Sequence, residues 1–167
     1  MPKRPTAPPA LDPELERSTA VGLFNFTWTL LEKPDRTPEE DELMVHAAHA
    51  SRLHWDAIGG PVNRVRGEWQ LARVYAVLER AEPALHHARR CLELCEEHGI
   101  GDFDLAYAYE ALARAHTIAG NAVEATRYAE LAREATEDVA DPDDRAHVLE
   151  DLATLPTDQP LTRPPQT

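Results

Sequence analysis

The run Leu71-Ala72-Arg73-Val74-Tyr75 returns as Leu112-Ala113-Arg114-Ala115-His116, an offset of 41 residues (112 − 71). The same offset carries Ala84 to Ala125 and Ala88 to Ala129. A chain that copies itself at such a period is built from like units, each too small to bury its own apolar face without a neighbour. A weaker copy lies upstream, with Phe24 and Trp28 in the places of Leu71 and Tyr75, and Ala47, Ser51 and Trp55 in those of Ala84, Ala88 and Leu92. Its two landmark positions are 23 apart (47 − 24) against 13 in the later copies (84 − 71), a surplus of ten residues. The proline- and acid-rich turn Glu32 to Asp41 is the expected home of that surplus.

The units read as helices. Ala, Leu, Glu and Arg dominate the stretch between the two ends, and nothing alternates with the period of two that a strand requires. Asp12-Pro13 and Asp141-Pro142 each offer a capping carboxylate followed by proline in the first helical place. Thr37 and Glu40 have capping-box spacing, and Asp102 is expected to cap a helix of its own. Stops fall at Lys33-Pro34, Gly59-Gly60-Pro61, His98-Gly99 and Gly120-Asn121. The spacing predicts seven helices, near 13–33, 38–58, 62–79, 82–98, 102–119, 121–138 and 142–154. Prolines crowd residues 1–11 and 156–167, which are expected to be disordered tails around one helical domain over 12–155.

Leu71-Ala72-x-x-Tyr75, followed by Ala84 and Ala88-x-x-Cys91-Leu92-Glu93-Leu94, resembles the tetratricopeptide repeat. That family sets a large, a small and an aromatic residue in its first helix and small residues where the second packs, because helices nest closely only over Ala or Gly. The period is 41 rather than ~34, Trp69 sits one place late, Asn25 stands at the small position of the first copy, and His116 replaces the aromatic of the last. The longer unit resembles the variant found in many bacterial regulatory proteins, and the likeness covers roughly residues 20–138. It implies an all-α, right-handed α-solenoid of about three hairpins, with the helix near 142–154 as a cap.

In such a solenoid the first helices line a concave surface. The resemblance then turns Arg66, Trp69 and Arg73 of one copy, and Tyr107, Glu110 and Arg114 of the next, toward that groove. Guanidinium forks hold carboxylates bidentately, and indole and phenol rings offer flat contact area at low entropic cost. The expected function is a protein- or peptide-binding adaptor or regulatory module with no chemistry of its own, whose partner carries an exposed carboxylate or acidic segment. The competing reading has Arg73 and Arg114 pair with Glu68 and Glu110 inside the protein. Trp28 and Trp55 read as core.

Glu42, His46 and His49 fall at i, i+4 and i+7 on one helix face. They support the alternative of a small metal-dependent enzyme or small-molecule binder holding zinc or another transition metal. His49 and His86 occupy equivalent places on neighbouring second helices. No cofactor is expected otherwise, and no nucleophile elbow, zinc-protease or dinucleotide motif is present. Cys91 and Cys95 read as buried small hydrophobes.

Charge narrows the partners. Seventeen basic against 30 acidic residues leave a net of −13, a field that repels nucleic acid and anionic lipid. No apolar stretch approaches the ~20 residues of a membrane span. Met1 to Ala10 lacks the apolar core of a secretory signal, so the cytoplasm is the expected compartment. Self-association through an exposed helix face, as a homodimer, is a third expectation.

Overall fold

A computed structural model describes residues 6–155 and is all-helical over that span. Its seven helices are α1 (Pro13–Leu31), α2 (Pro38–Ile58), α3 (Pro61–Val77), α4 (Ala81–His98), α5 (Asp102–Ile118), α6 (Ala122–Glu137) and α7 (Pro142–Ala153). Residues 6–12 precede α1 as exposed, irregular chain. The expected disorder of residues 1–5 and 156–167 lies outside the described residues.

The helix starts follow from side chains that satisfy otherwise orphaned backbone donors. Asp12 Oδ1 accepts from the N–H groups of Glu14 and Leu15, and Asp141 does the same for Asp143 and Asp144. At α2 the capping box closes in both directions: Glu40 N–H donates to Thr37 Oγ1 and Thr37 N–H to Glu40 Oε2. Asp102 differs from the expectation. Gly101 holds the N-cap place, while Asp102 is the first helical residue, with a φ of 54° and its carboxylate accepting from Phe103 N–H at 2.7 Å.

The inserted turn after α1 is pinned from both sides. Arg36 donates to the carbonyls of Leu30, Leu31 and Lys33 at the end of α1 and to Asp41 on α2. The turn after α3 ends on Glu79, whose φ of 56° is the left-handed conformation usually left to glycine, as at Gly99 after α4 (φ 62°).

α1 packs on α2, α3 on α4 and α5 on α6, each consecutive pair folding back on itself. The odd-numbered helices also touch in series, α1 on α3, α3 on α5 and α5 on α7, while the backbones of α2, α4 and α6 do not approach one another closely. That asymmetry puts α1, α3, α5 and α7 on one side of the molecule. Leu71 and Leu112 are both 1% exposed, and with Val74, Met44 and Leu30 they form the central core, for which Ala84, Ala88 and Ala115 clear the close approaches. Burying each such leucine is worth about 1.5–3 kcal/mol. A second cluster joins Ala106 and Ala113 of α5 to Ala129 and Ala132 of α6 and to Val139, Val148, Leu152 and Leu155 around α7. Buried hydroxyls and amides find carbonyls: Ser51 Oγ donates to Ala20 O, and Gln70 Nε2 to Phe24 O, which ties α3 to α1.

Candidate functional site

The odd-numbered helices enclose a hollow of about 730 Å³. α1 contributes Phe24 and Trp28, one turn apart; α3 contributes Val65, Arg66 and Trp69 at the same helical spacing. α5 brings Asp102, Phe103, Asp104 and Tyr107 from its first two turns, and Ala140, Asp141 and Asp144 close the rim at the start of α7. The rings form a continuous wall. Trp28 and Trp69 have centroids 5.4 Å apart, Trp69 and Tyr107 4.9 Å with planes at 62°, and Phe103 and Tyr107 4.7 Å at 67°. These tilted and edge-to-face arrangements suit the aromatic quadrupole and hold the rings against each other without a ligand. The Trp69 indole N–H is buried and has no acceptor among the described residues.

Of the six side chains expected in the groove, Arg66, Trp69 and Tyr107 line the hollow, whereas Arg73, Glu110 and Arg114 do not and form a separate ion network joined to it through Tyr107. At the mouth, Arg66 forks onto Asp104, Nε to Oδ1 at 2.9 Å and Nη2 to Oδ2 at 3.1 Å, with Trp69 and Tyr107 beside it. Beneath lies an ion network organised by Glu110, which is 1% exposed. Arg114 Nε donates to Glu110 Oε1 at 2.7 Å, and Arg73 Nη1 stands 3.8 Å from the same oxygen. α7 completes the network: Asp151 pairs with Arg73 at 2.7 Å and accepts from Tyr107 Oη at 3.0 Å. Arg114 Nη2 reaches Asp151 O and Thr154 Oγ1 at 3.0 and 2.8 Å.

The two arginines meet beside Glu110, but each already holds a carboxylate. Their side chains are only 15% and 17% exposed. Burial opposes the charge on Arg73, yet Glu110 and Asp151 outweigh it and keep its pKa above the ordinary value. Burial, followed by the charge of Asp151, pushes the Tyr107 phenol far above its usual range. Glu110 is the internal partner that the pairing reading named. Glu68 is not: it faces α2 and α4, accepting from Arg52 Nε at 2.9 Å and meeting His87 Nδ1 at 2.7 Å. Burial alone would raise the Glu68 carboxyl, but the His87 bond and the charge of Arg52 hold it below the ordinary value.

The histidine candidates take a different arrangement. Glu42 and His46 are exposed. His49 Nε2 lies 2.8 Å from Tyr75 Oη, and its ring centroid is 5.4 Å from that of His87, not of the repeat-equivalent His86. Burial, then the neighbouring His87, lowers the pKa of His49. Among the described residues no group of three or more His, Cys, Asp or Glu side chains gathers in a way that suits a metal ion. Cys91 and Cys95 are free and buried, Cys91 Sγ lying 3.5 Å from Val65 O.

Sequence reasoning missed the acidic rim and one wall. Trp28 occupies the place that Tyr75 fills in the core, yet its indole stands half-buried against Trp69. Asp141 and Asp144 read only as a helix start, and nothing local in the sequence places that start opposite Arg66. Trp55 is core as expected, with the Arg17 guanidinium 5.7 Å from its ring centroid. No helix of the described residues is long and apolar enough to cross a membrane. Compared with the models of known protein families, with curated proteins and with solved structures, the chain matches none.

Proposed function

We propose that the protein is a recognition module, an adaptor or regulator that holds a segment of another protein in the hollow between α1, α3, α5 and α7 and breaks no bond itself. The observation that carries this reading is the hollow: about 730 Å³ within the size range of ligand sites, walled by rings and edged by a few charges. Within the same proposal the three helix pairs are like hairpins of a right-handed, tetratricopeptide-like solenoid, and α7 is its cap. The matched burial of Leu71 with Leu112, Ala72 with Ala113 and Tyr75 with His116 supports that register. An acidic partner reaching Arg73 and Arg114 would have to displace Asp151 from them, so the open aromatic layer above is the primary contact surface.

The test uses random peptides displayed on phage and selected on the full chain. Exposed Ala140 lines the hollow, and Ala140→Trp fills it without removing a core side chain. Enrichment on the wild-type protein that disappears on Ala140→Trp supports the reading. Enrichment that is equal on both proteins, or absent from both, removes it.

A further inference from the structure

Resting on that reading of the hollow, we propose that its occupant is a cation: the guanidinium or ammonium group of an arginine or lysine in an extended segment of the partner protein.

Four carboxylates, Asp102, Asp104, Asp141 and Asp144, line the hollow against one guanidinium, that of Arg66, a formal excess of three negative charges. Arg66 is spent on Asp104, so an incoming anion would have to break a bidentate pair to use it. Two helix starts, those of α5 and α7, also meet the rim. Each contributes roughly half a positive charge, and together they fall short of the excess by about two. Their free donors are in part already taken, Phe103 N–H by Asp102 and Asp143 N–H by Asp141. Nor do the arginines beneath offer an anion site, since Glu110 and Asp151 neutralise them.

The wall completes the match. Indole and phenol faces attract cations, indole most strongly. Elsewhere the protein fills such faces itself: Arg17 lies over Trp55, Arg80 over Tyr75 at 5.1 Å and Arg127 over Tyr128 at 5.3 Å. Among the described residues no guanidinium or ammonium lies over Trp28, Trp69 or Tyr107. Of the four tryptophan and tyrosine rings without a cation, these three stand beside the acidic rim, and only Tyr109 lies elsewhere. A net charge of −13 adds a long-range field that draws basic segments toward the protein.

Peptides selected on the full chain, and lost on Ala140→Trp, are expected to share an arginine or lysine at one position. In calorimetric titration of the best such peptide, replacing that residue by citrulline or glutamine should weaken binding at least ten-fold. Asp144→Asn should weaken it several-fold with an unchanged thermal midpoint, and so should raising the salt from about 0.05 to 0.5 M. Pocket-dependent peptides with no shared basic residue, or with an acidic one, would overturn the cation while leaving the hollow a binding site. Equal affinity of the citrulline or glutamine peptide overturns it as well. The absence of any pocket-dependent peptide removes the binding reading, and this inference with it.

Discussion

Replacing Glu110 by Gln tests whether the ion network beneath the hollow is structural. The substitution keeps shape and an acceptor oxygen but deletes the charge that two guanidinium groups share. Removing one partner of a fully buried pair costs about 3–5 kcal/mol, because a desolvated charge is stranded. Two features of the structure reduce that figure. Arg73 keeps Asp151 at 2.7 Å, so only Arg114 loses its carboxylate, and Arg114 is 17% exposed and still donates to Asp151 O and Thr154 Oγ1. The expected loss is therefore about 2–3 kcal/mol, or roughly 4–12 °C in thermal midpoint for a domain of this size. Thermal and urea unfolding followed by far-ultraviolet circular dichroism would read it. Adding Arg114→Met should recover part of the loss, since the stranded charge leaves with it. A Glu110→Gln protein within about 0.5 kcal/mol of wild type would refute the argument and return both arginines to the pool of free groove residues.

Three further outcomes are expected. Glu79→Gly should stabilise the fold by up to about 1 kcal/mol, because glycine relieves the left-handed backbone at φ 56°; a loss in the same unfolding assay would contradict this. Gly67→Ala should cost about 1 kcal/mol despite the better helix former, because the new Cβ would meet Arg52 Cδ at 2.5 Å while Arg52 is bonded to Glu68; a gain would show that Arg52 moves freely. His49 and His116 have folded pKa values below the ordinary 6.5, so the unfolded chain protonates first as pH falls and stability declines from about pH 7.5 toward those lowered values. His49→Gln removes one of the two titrations, with Tyr75, His87, His46 and Glu68 still around the site, and should flatten the fall in thermal midpoint between those pH values; an identical slope would discard the argument.

Helix order was legible because its signals are local. Asp12-Pro13, Thr37 with Glu40, Asp141-Pro142 and Gly99 each act through hydrogen bonds within a few residues, and the structure uses each of them. Arg73 and Arg114, 41 residues apart in the sequence pattern, stand beside the same Glu110 but do not line the hollow. What the pattern withheld is long-range. Asp151 lies 37 residues beyond Arg114 (151 − 114) and outside the repeated region, so no periodicity tells that its carboxylate ends up on Arg73 and its backbone carbonyl on Arg114. Positive-φ Glu79 carries no glycine signal, and His87, one place from the repeat-equivalent His86, faces Glu68 because helical rotation of 100° per residue reaches a different neighbour.

Helix α7 touches the site twice, with Asp141 and Asp144 at the entrance and Asp151 against the guanidinium pair below. Undocking it would strip three negative groups from one surface in a single event and take from Arg73 its nearest carboxylate, at the expense of uncovering Val148 and Leu152. Helix α7 with its cap thus supplies three of the six carboxylates around the site, Asp141, Asp144 and Asp151, against Asp102, Asp104 and Glu110 from α5. By thermodynamic reciprocity, an occupant held through Asp141 and Asp144 would also tighten the docking of α7.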